Sequence, residues 1–182
     1  MNETTVLQTT PGPRAPARRR LGPWIPALWA IAVLQAGCAA YSPQGVTPGA
    51  SVGDAERAMG KTTGTYPLPG GGQRLEFARG PQGKHTYMLD FDAQGRLLRS
   101  EQVLNEAHFA QVRPGDGEQQ VLARIGHPGQ VTTVGRPGYY QSVWTYRYDS
   151  APFCLWFQVG LSPAGQVIDS TYAPDPACES KD

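Results

Sequence analysis

Apolar and polar residues alternate along two stretches of the chain, and this alternation predicts β-strands. Tyr87, Leu89 and Phe91 fall on one side of a strand in the first stretch. In the second stretch, Phe157, Val159 and Leu161 likewise fall on one side of a strand. The predicted strands cover residues 74–77, 86–91, 96–98, 143–148, 154–161 and 166–168. Hairpin turns with Gly at the left-handed position are predicted at 92–95 and 162–165.

Apolar residues at helical spacing precede each group of strands and predict two short helices. These apolar positions are Val52, Ala55 and Met59 in the first helix and Val121, Leu122 and Ile125 in the second. Ser51 is the expected N-cap of the first helix, and Asp116 that of the second. Each helix is expected to end at a Gly in the left-handed conformation, Gly60 or Gly126.

The two groups of elements follow one another as an internal repeat. Val-x-Pro-Gly at 46–49 recurs at 112–115, which is 66 residues later. We therefore expect a first repeat over residues 46–103 and a second over 104–178, with a tail at 179–182. The leading helix of the first repeat is expected to be reduced, because only seven residues separate Cys38 from the first motif.

The N-terminal segment has the pattern of an export signal. Three Arg residues at 18–20 precede an apolar run from Leu21 to Gly37. With Pro23 and Pro26 inside it, this run of 17 residues is marginal for a bilayer-spanning helix. Residues 1–37 are therefore predicted to be a signal peptide.

The end of the apolar run resembles a bacterial lipobox, in which the Cys is lipidated and becomes the first mature residue. Residues 36–38 match the motif, whereas Gln35 stands where an aliphatic residue is usual. We expect lipidation of Cys38 and a short tether over residues 38–45. Two alternatives stay open: cleavage after residues 38–40, which gives a soluble periplasmic protein, or an uncleaved anchor.

Composition supports short strands and many turns and excludes one class of partner. The 182 residues include 22 Gly and 17 Pro, which argues against long helices. The formal net charge of +1 becomes −2 once Glu3 and the four Arg of the expected signal peptide are removed. Nucleic-acid-binding proteins are normally strongly basic, so we expect no nucleic-acid partner.

Export also affects the interpretation of the two remaining cysteines. Cys154 and Cys178 form an even pair in an oxidising compartment, which predicts a disulfide. The closed loop of about 25 residues would contribute roughly 3 kcal/mol in the chain-entropy model. A reactive thiol or a metal site is the alternative, although no His neighbours either Cys in the sequence.

Residues 109–115 and 120–128 resemble the signature of the BamE (SmpA/OmlA) lipoprotein family. The same unit in tandem resembles that of β-lactamase inhibitory proteins. The BamE family usually has Met-Thr after the first Gly, where this chain has other residues at 50–51 and 116–117. The resemblance covers roughly residues 40–178. It implies an α+β fold of two tandem units, each a short helical pair packed on one face of an antiparallel sheet, with the other face open.

The resemblance also implies a function that needs no active site and no cofactor. BamE relatives are accessory subunits that support β-barrel insertion and envelope integrity, whereas the inhibitory relatives clamp a hydrolase. We therefore expect a lipid-anchored protein on the periplasmic face of the outer membrane. It would be a non-catalytic binding or scaffolding module for an envelope protein such as the β-barrel assembly machinery. The alternative is an exported inhibitor of a hydrolase.

Candidate catalytic and metal-ligating residues do not form a recognisable motif. The three His are scattered and are expected to be surface residues: His85, His108 and His127. The chain has no Gly-x-Ser-x-Gly motif, and the Gly run at 70–72 lacks the Lys of a phosphate loop. Asp90 and Asp92 would place two carboxylates on one strand face, where a cation could bind, but beside the turn at 93–95 we interpret them as a solvated strand end. We expect neither an enzyme nor a metal site.

Trp156 is the main candidate for a protein contact. If Phe157 faces the core, Trp156 and Gln158 face the other way, beside Thr145 and Arg147 of the neighbouring strand. Trp and Arg dominate the energetics of protein interfaces, so these four residues form the predicted contact patch. The alternative is that Trp156 covers the disulfide or the contact between the two repeats.

Overall fold

A computed structural model describes residues 42–136 and 141–179, which contain two four-stranded antiparallel sheets. The expected signal peptide and Cys38 lie outside these residues. The first sheet has strands β1 (Gly64–Pro67), β2 (Gln73–Ala78), β3 (Thr86–Phe91) and β4 (Leu97–Gln102) in this order. The second has β5 (Gln130–Val134), β6 (Gln141–Arg147), β7 (Leu155–Leu161) and β8 (Val167–Pro174).

The α-helices of this part of the chain are short, and a single 3₁₀ turn, Pro69–Gly71, joins β1 to β2. They are α1 (Val52–Met59), α2 (Glu106–Phe109), α3 (Glu118–Ile125) and α4 (Pro176–Glu179). None of those within the described ranges combines the length and the apolar character that crossing a bilayer requires.

The predicted fold class, two tandem units that each carry a helical pair on one sheet face, is wrong. The described chain is mostly β-structure, and α1 stands without a helical partner before the first sheet. In the second half, α2 has only four residues, and Pro114 and Gly115 separate it from α3. Pro lacks the N–H that a helix interior needs and Gly weakens a helix, so this composition limits helix length.

We call the described residues up to 103 the first half and those from 104 the second half. The two halves share α3, because this helix packs against both sheets. One side of α3 places Val121 and Ile125 in the core under the second sheet. The other side packs Leu122 and Ala123 against Tyr66, Met88 and Val103 of the first half. The face of the first sheet that was expected to be open is therefore covered by a helix of the second half.

Of the two predicted helix N-caps, one is confirmed and the other is wrong. Ser51 caps α1: its hydroxyl accepts from the Asp54 N–H at 3.2 Å, and the Asp54 carboxylate accepts from the Ser51 N–H at 2.9 Å. The cap predicted at Asp116 is wrong, because Gly117 is the N-cap of α3. Asp116 instead accepts from the Arg113 N–H at 2.9 Å and from Arg124 at 2.6 Å.

A buried carboxylate joins the first sheet to the end of α3. Glu76 on β2 is 0% exposed. It accepts hydrogen bonds from the hydroxyls of Thr63 at 2.9 Å and Tyr66 at 2.6 Å. From the second half, it accepts the backbone N–H of His127 at 3.1 Å and the ring Nδ1–H of the same residue at 2.8 Å. Because a buried charge is very costly without partners, these four bonds hold the end of α3 against β2.

Two tyrosines surround this carboxylate from the two sheets. Burial and the hydrogen bond to Glu76 raise the pKa of Tyr66 far above its ordinary value. Burial, followed by the charge of Glu76, raises the pKa of Tyr146, whose hydroxyl donates to the Gly126 carbonyl at 3.0 Å. Both hydroxyls therefore remain protonated and available as donors.

Gly126 ends α3 beside the carboxylate, and its replacement tests this contact. Its φ of 81° and ψ of −172° belong to a region that is essentially restricted to Gly. A Cβ would also lie 2.9 Å from Thr86 Cγ2 and 3.0 Å from Glu76 Cδ.

We expect Gly126→Ala to lower the free energy of unfolding by about 3 kcal/mol in chemical denaturation. Gly95→Ala is the control, because its φ is also positive but nothing lies within 4 Å, and we expect about 1 kcal/mol there. Equal losses would contradict this account.

Candidate functional site

The second sheet brings the predicted contact residues together on the side opposite α3, which we call the Trp156 face (Thr145, Arg147, Trp156 and Gln158). Arg147 is paired with Trp156 across β6 and β7, and Thr145 with Gln158. The Arg147 guanidinium lies 5.6 Å from the centroid of the Trp156 ring, within the range of a cation–π interaction. Nε2 of Gln158 donates to Oγ1 of Thr145 at 3.1 Å.

Not all four residues are available to a partner. Thr145 is buried, and its hydroxyl is occupied by Gln158, so Thr145 positions the amide of Gln158. Trp156, Arg147 and Gln158 are partly exposed. Trp156 and Arg147 therefore form the part of the face that offers a large side chain and a charge.

Arg147 is held in place from two directions. Its Nη2 donates to Oδ1 of Asp175 at 3.2 Å, and its Nη1 contacts the side-chain oxygen of Gln82. Asp175 is buried and also accepts the backbone N–H of Ala177 at 2.9 Å, so its carboxylate is itself fixed. A guanidinium fixed before binding loses less conformational entropy when a partner contacts it.

A loop of the first sheet completes the site. Pro81 and Gln82 lie beside Trp156 and Arg147 and enclose a cavity of about 170 Å³. Gly129 and Gln130 at the start of β5, with Thr145, form the rest of its wall.

The sequence did not indicate this contribution. Residues 80–83 show only a Gly- and Pro-containing turn, and nothing in them indicates contact with residues more than 45 positions away. Trp156 thus lies at the junction of the two halves, as the alternative interpretation held, and still has an exposed part. Its role in binding stays a prediction.

The predicted disulfide between Cys154 and Cys178 is present, with a Cα–Cα distance of 6.2 Å. It ties α4 to the start of β7, and the Asp175 N–H donates to the Cys154 carbonyl at 2.9 Å beside it. Within the described residues, Cys154, Asp175 and Cys178 form a group of potential metal ligands. Because the two sulfurs are bonded to each other, they are not available as thiolates.

His85 and His127 are partly exposed, as expected of surface residues, and all three histidines are paired with a carboxylate. His85 contacts Asp149 at 2.9 Å, and His127 contacts Glu76 as described above. His108 is largely buried, with Nε2 at 3.0 Å from Glu101. These pairs join separate segments of the chain.

The interpretation of Asp90 as a solvated strand end is wrong. Asp90 is buried and accepts hydrogen bonds from Arg74 at 2.6 and 2.9 Å and from Arg99 at 2.7 Å. Arg74 also donates to the carbonyl of Ala123 at 3.0 Å, which adds a second polar link to α3. Asp92 instead closes the hairpin turn, where it accepts the backbone N–H of residues 94 and 96. These contacts use both carboxylates for structure.

Comparisons with known proteins give little support for a family. No protein-family model matches the chain, and a search of curated proteins finds no match. One similar solved structure is a proposed β-lactamase inhibitor protein from Streptococcus mutans, at 7% identity and a TM-score of 0.33, over 70% of this chain and 84% of that one.

Two further solved structures come from extracellular proteins. A cysteine-rich secretory protein from Staphylococcus aureus has 10% identity and a TM-score of 0.28, over 73% of this chain and 45% of that one. An extracellular protein with an SCP domain from Bacillus anthracis has 9% identity and a TM-score of 0.30, over 80% and 50%. This chain thus spans about half the length of these two proteins. At such TM-scores, none of the three likenesses carries an argument about function.

The Asp90 contacts predict a specific dependence of stability on pH. Burial by itself raises the pKa of Asp90, but the hydrogen bonds and charges of Arg74 and Arg99 outweigh burial and lower it. The stabilisation is therefore complete above the pKa of Asp in the unfolded chain, about 3.9, and is lost as pH falls through the lower folded value.

We expect Asp90→Asn to lower the free energy of unfolding by about 2 kcal/mol at pH 7, and the difference from wild type to shrink below about pH 4. Urea denaturation at several pH values measures both effects. Asp149→Asn removes an exposed carboxylate and should cost less than about 1 kcal/mol. A difference for Asp90→Asn that does not change with pH would show that its charge is not involved.

Proposed function

We propose that the chain is an exported, non-catalytic protein-binding module whose contact surface is the Trp156 face. The observation that carries the proposal is the pairing of Trp156 with a fixed Arg147 beside a cavity bordered by both halves. Interface hot spots are enriched in Trp and Arg that lie next to pockets on a rigid scaffold. The sheet supplies that scaffold here.

The N-terminal pattern supports a place for this module in the cell envelope. In our proposal, the signal peptide directs export and Cys38 carries a lipid that holds the module on the periplasmic face of the outer membrane. Two or more acyl chains anchor a protein stably, since each buried CH₂ contributes about 0.8 kcal/mol. A soluble periplasmic or secreted protein is the alternative, and Cys38→Ala distinguishes the two.

The surroundings of His127, the residue that most resembles a catalytic base, support a non-catalytic role. His127 is held by a buried carboxylate, as the base of a hydrolytic triad would be. The nearby hydroxyls of Thr63 and Tyr66 both donate to the same carboxylate, so neither is positioned as a nucleophile for that His. We assign this cluster to structure.

Crosslinking capture from isolated envelopes tests the proposed surface. We expect the wild type to capture a folded protein, and Trp156→Ala to reduce capture at least about thirtyfold, the loss of about 2 kcal/mol or more that a hot spot implies. Phe153→Ala is the matched control, because Phe153 is the most exposed aromatic of the described chain at 68% and does not line the cavity beside Trp156. It should capture as the wild type does.

Melting temperatures show whether a loss of capture comes from a lost contact or from a destabilised fold. The melting temperature of Trp156→Ala should stay within a few degrees of wild type, whereas a large drop would show that Trp156 is a core residue. Gln158→Arg adds bulk to the same face without removing Trp156, and should also reduce capture. Equal capture by all variants would contradict the proposal.

The identity of the captured protein distinguishes the two partner classes. An outer-membrane assembly component indicates the lipid-anchored binding module. A hydrolase that Cys38→Ala captures as well as the wild type does indicates the exported inhibitor.

A further inference from the structure

Strand β5 lies at the edge of the second sheet, and no other strand within residues 42–136 and 141–179 pairs with its outer side. All five residues, Gln130 to Val134, are exposed, and none carries a charge. Val131 is 57% exposed and Val134 42%. The pairing of β5 with β6 runs without a bulge from Gln130–Thr145 to Val134–Gln141. An exposed, uncharged and regular edge is a template for another strand.

The other three edge strands of the described sheets carry features that protect them from pairing. β1 has only four residues and ends at Pro67. β4 carries Arg99 and Glu101, and its pairing with β3 shifts register. β8 carries Asp169, ends at Pro174, and also shifts register against its neighbour. Charges, Pro and bulges are the common means by which proteins block edge-to-edge pairing, and β5 lacks all of them.

We propose that β5 pairs with β5 of a second copy of this chain, antiparallel about a twofold axis perpendicular to the sheet. Such an axis keeps equivalent faces on the same side and requires residues of equal parity to face each other. The register that uses all five residues places Thr132 opposite Thr132 of the second copy. Val131 then faces Thr133, and Gln130 faces Val134.

A second copy suits this edge because its sequence is compatible with itself. Like charges directly opposite each other destabilise a strand pair, and β5 brings none to the twofold axis. Its β-branched residues favour extended pairing on both faces. The result is one eight-stranded sheet that carries two Trp156 faces on the same side. This inference does not depend on what the Trp156 face binds.

Disulfide trapping in the envelope tests the pairing in the protein as it exists there. Residues opposite each other in an antiparallel pair have Cα atoms about 4.5–5.5 Å apart, which a disulfide can bridge. Thr132→Cys should therefore give a covalent dimer on a non-reducing gel. Thr171→Cys is the control, since it places the same change on the exposed, opposite edge strand of the same sheet, and it should stay monomeric.

A charge on the edge gives an independent measurement. Thr132→Lys places two Lys opposite each other at the axis, and should raise the dimer dissociation constant in sedimentation at least about tenfold. Thr171→Lys should leave it unchanged. Trapping of neither Cys variant, equal trapping of both, or a monomeric wild type would overturn the proposal. Trapping of Thr132→Cys to a different protein would also overturn it, because β5 would then accept a foreign strand.

Discussion

The arrangement of the described chain depends on the buried carboxylate of Glu76. Its partners include the backbone and the ring of His127, directly after α3, so this buried group of β2 is hydrogen-bonded to the other half as well as to its own. With α3 fixed between the sheets, residues 127–129 lead into β5 beside the loop that contains Pro81. A Cβ at Gly129 would lie 2.8 Å from the Pro81 carbonyl, so the two segments come into contact only because that residue is Gly. The cavity next to Trp156 is bordered by this contact.

A polar junction of this kind fixes geometry more strictly than an apolar one. The hydrophobic effect has no preferred direction, whereas a buried carboxylate needs each donor within hydrogen-bonding distance and well aligned. The bond from Arg74 to the carbonyl of Ala123 imposes a second condition on the same helix. The Trp156 face and its cavity are built from both halves, so their shape follows from these directional contacts.

The sequence allowed prediction of local structure wherever one side of an element faces a core. The strands around Leu89 and Phe157 and the cap at Ser51 follow from alternation and side-chain chemistry, and the structure confirms them. β1 and β5 were missed because their patterns carry no alternation. β1 contains Gly64 and Pro67, and β5 is exposed on both faces.

The long-range features could not be predicted from the same patterns. Arg74 and Glu76 alternate with apolar residues, which is typical of a solvent-facing side, yet α3 and His127 cover that side. The fold class was wrong because the helices of the described chain are too short and too few to form the predicted pairs. One amphipathic pattern also cannot show that Leu122 and Ala123 pack on another sheet. Strand parity was enough to pair Arg147 with Trp156 and Thr145 with Gln158, whereas Pro81 and Gln82 come next to them only through the fold.

A double-mutant cycle between Glu76 and His127 tests most directly whether the carboxylate joins the two halves. Unfolding free energies are measured for Glu76→Gln, His127→Ala, the double variant and the wild type. We predict a coupling energy of about 1–3 kcal/mol, because the two residues share hydrogen bonds. A parallel cycle with His85→Ala, whose ring contacts Asp149 instead, should be additive within about 0.5 kcal/mol. Additive behaviour in the Glu76–His127 cycle would contradict the account.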